Sequence, residues 1–357
     1  MTMGVLDSHT CEKFSTTSET FDAVFDAFDK NRDGYLDGEE FFGLLQDLIG
    51  PSTNNEQTLT EDTASSFFTI IDLDNDGRIS KEEFRCAWLY WLKQILKPVT
   101  ALVIVDVQND FISGSLALRE CPAGQDAESV VPVINSLLEQ NLFDVVVYTY
   151  DWHPENHLSF VDNVALRSMH PTSKVTKEDA KVHDEPVFDI GGVSRQQHLW
   201  PRHCTQGSWG SELHSDLKVV ENAFHVKKGT NPDVDSYSAF WDNDKLSKTE
   251  LSSILAQKRV TDVYVCGLAY DVCVGYTAND SVDHGFRTVF IEDAARGVAL
   301  DGISKKREFL LSKGVYMADS AEVPSLVRAE NRPLCLAAQA ALNYKLAWKI
   351  VKGKSHT

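Results

Sequence analysis

The sequence predicts an α/β domain built on a parallel sheet covered by helices on both faces, preceded by an acidic, all-helical module. Three observations predict it. From about residue 100 onward, continuous apolar runs rich in β-branched residues alternate with stretches of helical period. Most of these runs end in polar or charged residues, where the chemistry of parallel sheets collects. Residues 1–97 hold 19 acidic and 8 basic side chains, a net of −11 within a chain total of −19.

A chain of 357 residues with 43% hydrophobic content is long enough for two or three domains with sizeable cores. No apolar run approaches the roughly 20 residues of a membrane helix, so no membrane partner is expected. The first ten residues lack the basic segment and apolar stretch of a secretory leader, which predicts a cytoplasmic protein, with the nucleus also compatible. Seven scattered cysteines without a C-x-x-C pair fit reduced thiols rather than a disulfide framework. So acidic a surface disfavours nucleic acid and suits a cation.

In the leading module the acids are spaced as well as frequent. Asp29, Asn31, Asp33, Asp37 and Glu40 stand at positions 1, 3, 5, 9 and 12 of one loop. Asp72, Asp74, Asp76, Ser80 and Glu83 repeat the pattern 43 residues later. Calcium takes six to eight hard oxygen ligands, and a twelve-residue loop supplies them only if it turns sharply at its middle. Gly34 and Gly77 sit at that turn, Tyr35 and Arg78 follow with their backbone carbonyls, and Leu36 and Ile79 are placed to pair the loops. Phe21, Phe25 and Phe28 before the first loop, and Phe84, Trp88 and Trp91 after the second, have helical spacing. Residues 18–96 resemble an EF-hand pair, which implies two calcium sites. The module reads as acting in cis, structural or regulatory.

Pro98 ends the last helix. The predicted domains are therefore 1–97 and 98–357, the latter with a helical C-terminal tail about 336–350. Strands are expected at 101–106, 144–149, 223–226, 263–265, 288–291 and 314–316. Helices are expected at 130–142, 248–257, 273–284 and 300–312. The polar stretch 164–198 reads as a loop insertion. Within 260–279, a buried strand breaks at Gly267 and resumes as a helical pattern carrying Cys273. A thiol in a first helical turn meets unpaired N–H groups and the positive end of the dipole, which favour the nucleophilic thiolate. The plainer reading is a small buried apolar residue.

The strand ends read Val105-Asp106-Val107-Gln108-Asn109-Asp110-Phe111 and Tyr150-Asp151-Trp152-His153-Pro154. Further on stand Trp200-Pro201-Arg202-His203-Cys204, Lys228-Gly229-Thr230, and Gly267 to Val274 with Asp271 and Cys273. Together these motifs, in this order over residues 99–320, resemble the isochorismatase-like cysteine hydrolases and, within them, the nicotinamidases. The resemblance implies a doubly wound six-stranded parallel sheet and a catalytic Asp106, Lys228 and Cys273. It implies an oxyanion hole from the amides of Ala269 and Cys273, with a cis peptide at Leu268–Ala269. Asp151, His153 and His203 would hold Zn²⁺, or iron or manganese with waters completing the shell. His157 and His198 are nearby alternatives. Phe111, Trp152 and Trp200 are expected to wall a pyridine ring, with Gln108 bonding polar groups of the site.

The reading that follows is a calcium-binding hydrolase converting nicotinamide to nicotinate and ammonia through a cysteine thioester, in NAD salvage. Another amide or carbamoyl hydrolase of the superfamily, or a calcium sensor with an inactive hydrolase domain, are the competing readings. The residues leave oligomeric state undetermined, and a homo-oligomer is compatible with them.

Overall fold

The computed structural model describes residues 18–49 and 58–354. Its centre is a six-stranded sheet of β1 (Thr100–Val105), β2 (Val145–Asp151), β3 (Phe224–Lys228), β4 (Asp262–Leu268), β5 (Arg287–Arg296) and β6 (Tyr316–Ala318). All neighbours pair in parallel, in the order β6-β5-β4-β1-β2-β3. The six strands and the helices between them lie where apolar runs and helical periods place them. β1 and β4 are buried at every position, because helices cover both faces.

Alternation along the strands assigns each side chain to a face. Leu102, Ile104, Tyr264 and Ile291 pack with the helix Val130–Glu139 on one side. Ala101, Val103, Val263 and Phe290 pack on the other with Leu251–Gln257, Gly275–Asp283 and Leu300–Ser312. The chain winds outward from β1 through β2 to β3, then returns to lay β4 on the opposite side of β1. The crevice at the carboxyl ends of β1 and β4 is thus the switch point, where open α/β sheets bind ligands.

The stretch 164–198 is more than a loop. Ser168–Met169, Val187–Ile190 and Val193–Gln196 form an antiparallel three-stranded sheet around the fully buried Phe188. Its alternation is too short and polar to stand out in sequence. In front of the main sheet, helices Ser18–Phe28, Gly38–Ile49, Glu61–Ile71 and Lys81–Ala87 flank two loops, joined by antiparallel pairing of Leu36 with Ile79. The last of these helices runs on through a π turn, Trp88–Leu92, into Lys93–Leu96. The tail is a helix, Leu334–Lys354, with one face in the core of this leading module.

Candidate active site

β1 delivers Asp106 one residue past its end, with a backbone φ of 50° in the left-handed region that non-glycine residues seldom occupy. Thr149 on β2 holds it there. The Asp106 amide donates to Thr149 Oγ1 (3.2 Å), and that hydroxyl donates back to Asp106 Oδ1 (2.6 Å). β3 presents Lys228 inward and its neighbour Lys227 outward, as a period of two requires. Lys227 lies over the Trp152 ring at 3.6 Å, while Lys228 is 1% exposed.

The Lys228 ammonium is the hub of the site. It pairs with Asp106 Oδ2 at 2.9 Å and with Asp151 Oδ1, donates to the Ser236 carbonyl at 2.9 Å, and reaches Cys273 Sγ at 3.3 Å. A carboxylate oxygen of Asp106 lies within 4.8 Å of that sulfur. Side chains from three strand ends and the turn after β4 therefore meet in one buried place. Burial disfavours the Lys228 charge, but the carboxylates of Asp106 and Asp151 hold its pKa well above the usual lysine value. Burial likewise works against Asp151, yet Lys228 and His153 hold its carboxyl well below the usual range. Burial pushes the Asp106 carboxyl up, against the opposing pull of Lys228.

Cys273 sits in a π turn, Tyr270–Val274, that leads into the helix Gly275–Asp283. The local structure is as the sequence predicts, but burial acts against the thiolate that a helix start favours. Burial first, and the charges of Asp151 and Asp106 with it, hold the thiol well above the usual cysteine range, with Lys228 opposing them. A buried thiol outweighs the pull of a helix start, so this sulfur needs a base. The Leu268–Ala269 peptide is cis. Ala269 and Cys273, the two residues expected to supply the oxyanion hole, both line the cleft.

Asp151, His153 and His203 bring one donor atom each to within 4.8 Å of one another, all buried. His153 Nε2 and His203 Nε2 lie 3.6 and 3.7 Å from Asp151 Oδ2. Their Nδ1 atoms face the carbonyls of Gly229 (2.9 Å) and Pro201 (2.7 Å). A carbonyl only accepts, so each Nδ1 carries the hydrogen and each Nε2 is free to bind a cation. Gly229, at φ +66°, permits this, since a Cβ there would fall 2.4 Å from the His153 ring. The donor set fits a divalent metal ion.

Of the alternatives, His157 stacks on His153 at 4.0 Å, and its buried Nε2 has no hydrogen-bond partner. His198 lies apart from the trio, bonded to His183 and packed on Trp200. Phe111 and Trp200 line the cleft as expected. Trp152 does not line it, because its ring is taken by Lys227. Nor does Gln108 face the cleft. It donates to the carbonyls of Asp151 (2.8 Å) and Ser211 (2.9 Å) and accepts from the Asp151 amide (2.9 Å), so it fixes the Asp151 backbone. Val272, Asp235 and Tyr237 also line the cleft. Both Asp235 and Tyr237 follow β3, and neither belongs to a motif picked out from the sequence. The empty space of the cleft, its open mouth included, is about 380 Å³.

In the leading module both loops close as the twelve-residue pattern requires. Asp29 Oδ2 accepts from the Gly34 amide and Asp72 Oδ2 from the Gly77 amide, each at 3.0 Å. Glu40 Oε1 accepts from Lys30 N (2.8 Å) and Glu83 Oε1 from Leu73 N (2.7 Å), bringing position 12 back over position 1. Carboxylate oxygens of Asp72, Asp74 and Asp76 gather within 4.8 Å. Tyr35 and Arg78 stand at position 7 of each loop, the Arg78 guanidinium 5.4 Å from the Tyr35 ring.

Residues 100–322 match the isochorismatase domain family, and residues 19–89 match the EF-hand domain pair. A nicotinamidase of Acinetobacter baylyi is 34% identical over 225 residues, covering 62% of this chain and 94% of that protein. The Escherichia coli nicotinamidase is 36% identical over 218 residues, covering 60% and 90%. Among solved structures, a nicotinamidase and pyrazinamidase of Acinetobacter baumanii shares 36% identity at a TM-score of 0.53, covering 63% of this chain and 98% of that one. With more than half of its length matched, and an EF-hand pair in front, this chain belongs to the isochorismatase domain family.

Proposed function

We propose that this protein is a nicotinamidase, hydrolysing nicotinamide to nicotinate and ammonia, and that it serves NAD salvage. One observation carries the reading. Lys228 joins buried Asp106 to Cys273, and Cys273 lines a small cleft together with an Asp-His-His cation site.

The chemistry follows from the protonation states. Cys273 starts as a thiol, so Asp106 takes its proton while the sulfur attacks the carboxamide carbon. Lys228 holds the pair together and offsets the negative charge that passes from carboxylate to sulfur. The amides of Ala269 and Cys273 receive the developing oxyanion. Asp106 then gives the proton to the leaving nitrogen, the C–N bond breaks, and ammonia departs from a thioester. Water, deprotonated by Asp106, adds to the thioester carbon; the C–S bond breaks and nicotinate leaves.

Asp151, His153 and His203 would hold a divalent cation, which would supply a Lewis-acid anchor for the substrate ring, zinc suiting the donor set and iron or manganese also fitting it. Phe111 and Trp200 confine the ring between apolar surfaces, leaving the carboxamide beside Cys273. A scaffold with an inactive hydrolase domain would have no need of this buried set, whose charges are expensive to assemble.

The EF-hand loops bind two calcium ions through Asp29, Asn31, Asp33, Tyr35, Asp37 and Glu40, and through Asp72, Asp74, Asp76, Arg78, Ser80 and Glu83. The boundary between the units falls at 97/98, with the tail helix shared by both. The cytoplasmic assignment belongs to the same proposal, supported by the free thiols of Cys86, Cys121, Cys204, Cys266 and Cys273.

Ammonia release from nicotinamide by the purified, metal-loaded protein tests the reading. Turnover is expected in the wild type and loss of it by orders of magnitude in Cys273→Ala, with circular dichroism unchanged. Retained turnover in Cys273→Ala removes the covalent route.

A further inference from the structure

The EF-hand pair is not left with an open groove. Ala337, Ala340, Ala341 and Tyr344 of the tail helix recur at helical spacing and are each at most 4% exposed inside its core, with Phe67 and Trp91. The three alanines let the helix approach closely, and the Trp91 indole N–H donates to the Ala337 carbonyl at 2.9 Å. This is the helix-in-groove mode by which EF-hand pairs take their targets, with the target supplied by the chain itself.

A second face of the same helix grips the hydrolase unit. Asn343 donates to the Gly285 carbonyl at 2.6 Å. Gln339 accepts from the Thr288 amide at 3.1 Å and donates to the Gly314 carbonyl. Two arginines reinforce the junction by donating to backbone carbonyls near the ends of helices in the leading module. Arg287 bonds Gln94 O (2.6 Å) and pairs with buried Asp262, while Arg332 reaches Asp47 O at 3.3 Å.

All the strand contacts lie at the amino ends of β4, β5 and β6. The cleft lies at the carboxyl ends, a seven-residue strand or roughly 20 Å away. We infer that the tail helix is the in-cis target of the EF-hand pair, and that calcium acts through it to stabilise the hydrolase fold without switching turnover. Calcium that binds the docked form better than the undocked one stabilises docking, and docking tightens calcium by the same factor. The inference rests on the calcium reading above, and its test separates the two.

The test uses the full chain with its active-site metal supplied, and Glu40→Gln/Glu83→Gln as the calcium-free reference in place of a chelator. Calcium titration with hydrogen exchange should show amides 334–346 slowing about tenfold or more, and the thermal midpoint rising. The Gln/Gln variant should show neither. Below the melting range kcat/KM for nicotinamide should stay within about twofold across the titration. Ala341→Asp, which drives a charge into the groove, should weaken calcium binding about fivefold or more with both loops intact. Trp91→Phe, which removes the indole donor and part of the ring but stays apolar, should weaken it less and guards against a misfolded Ala341→Asp. Wild type that binds calcium with no change in tail exchange, or a Trp91→Phe and Ala341→Asp pair that binds it as tightly as wild type, overturns the inference. So does a calcium-dependent kcat/KM beyond that range. A wild type that binds no calcium removes the calcium reading and the inference with it.

Discussion

Two buried carboxylates share one ammonium, and every other charge balance in the site follows from that arrangement. Removing the cation while leaving Asp106 and Asp151 buried exposes their full desolvation cost. Lys228→Met should therefore lower unfolding free energy by about 3–5 kcal/mol in chemical denaturation, and abolish turnover as well. Asp106→Asn keeps the shape and the Thr149 contact but cannot accept the thiol proton. Its kcat for nicotinamide should fall about 10²–10⁴-fold, with metal content unchanged. At this scale the sequence named the groups that the structure brings together, and the structure turned two of their neighbours elsewhere. Trp152 and Gln108 belong to motifs that mark the site, yet one side chain is spent on Lys227 and the other on the Asp151 backbone. Motif membership reports proximity along the strand end, while orientation depends on what packs beside it.

Gln108 shows how an element end acts on the cation site from behind it. Both backbone groups of Asp151 are tied to its amide, and β2 ends at that residue. Gln108→Leu should lower active-site metal affinity about 10–100-fold, read by competition with a chromophoric chelator, although Gln108 is not a ligand. In the EF-hand loops, Glu40 and Glu83 each close one ring of oxygens over the loop start. Glu40→Gln and Glu83→Gln should each remove one calcium site in calorimetric titration, with the partner site weakened through the Leu36–Ile79 pairing. Strand and helix placement was legible because periods of 2 and 3.6 separate cleanly in long segments. The small sheet within 164–198 was not, since its strands are two to four residues long and largely polar.

Across the whole molecule, the tail helix decides how the two units sit together. Gln339 satisfies the buried Thr288 amide and the Gly314 carbonyl at once. Gln339→Ala leaves both without that partner and should cost about 1–3 kcal/mol, seen as a lower thermal midpoint with kcat/KM unchanged below it. The cleft itself is a product of winding order. Asp106, Asp151, Lys228 and Cys273 lie up to 167 positions apart in the chain, and β4 turning back beside β1 is what gathers them.

The sequence by itself determined the main-sheet strands and the helices, the two acidic loops and the residues gathered in the cleft region, because periodicity and loop spacing are local properties of the chain. Only the tertiary structure decided the thiol's resting proton, the inward aim of the imidazole nitrogens, and the tail helix seated in the EF-hand core. Each of those depends on desolvation and on partners brought together from distant parts of the chain, which no local pattern encodes.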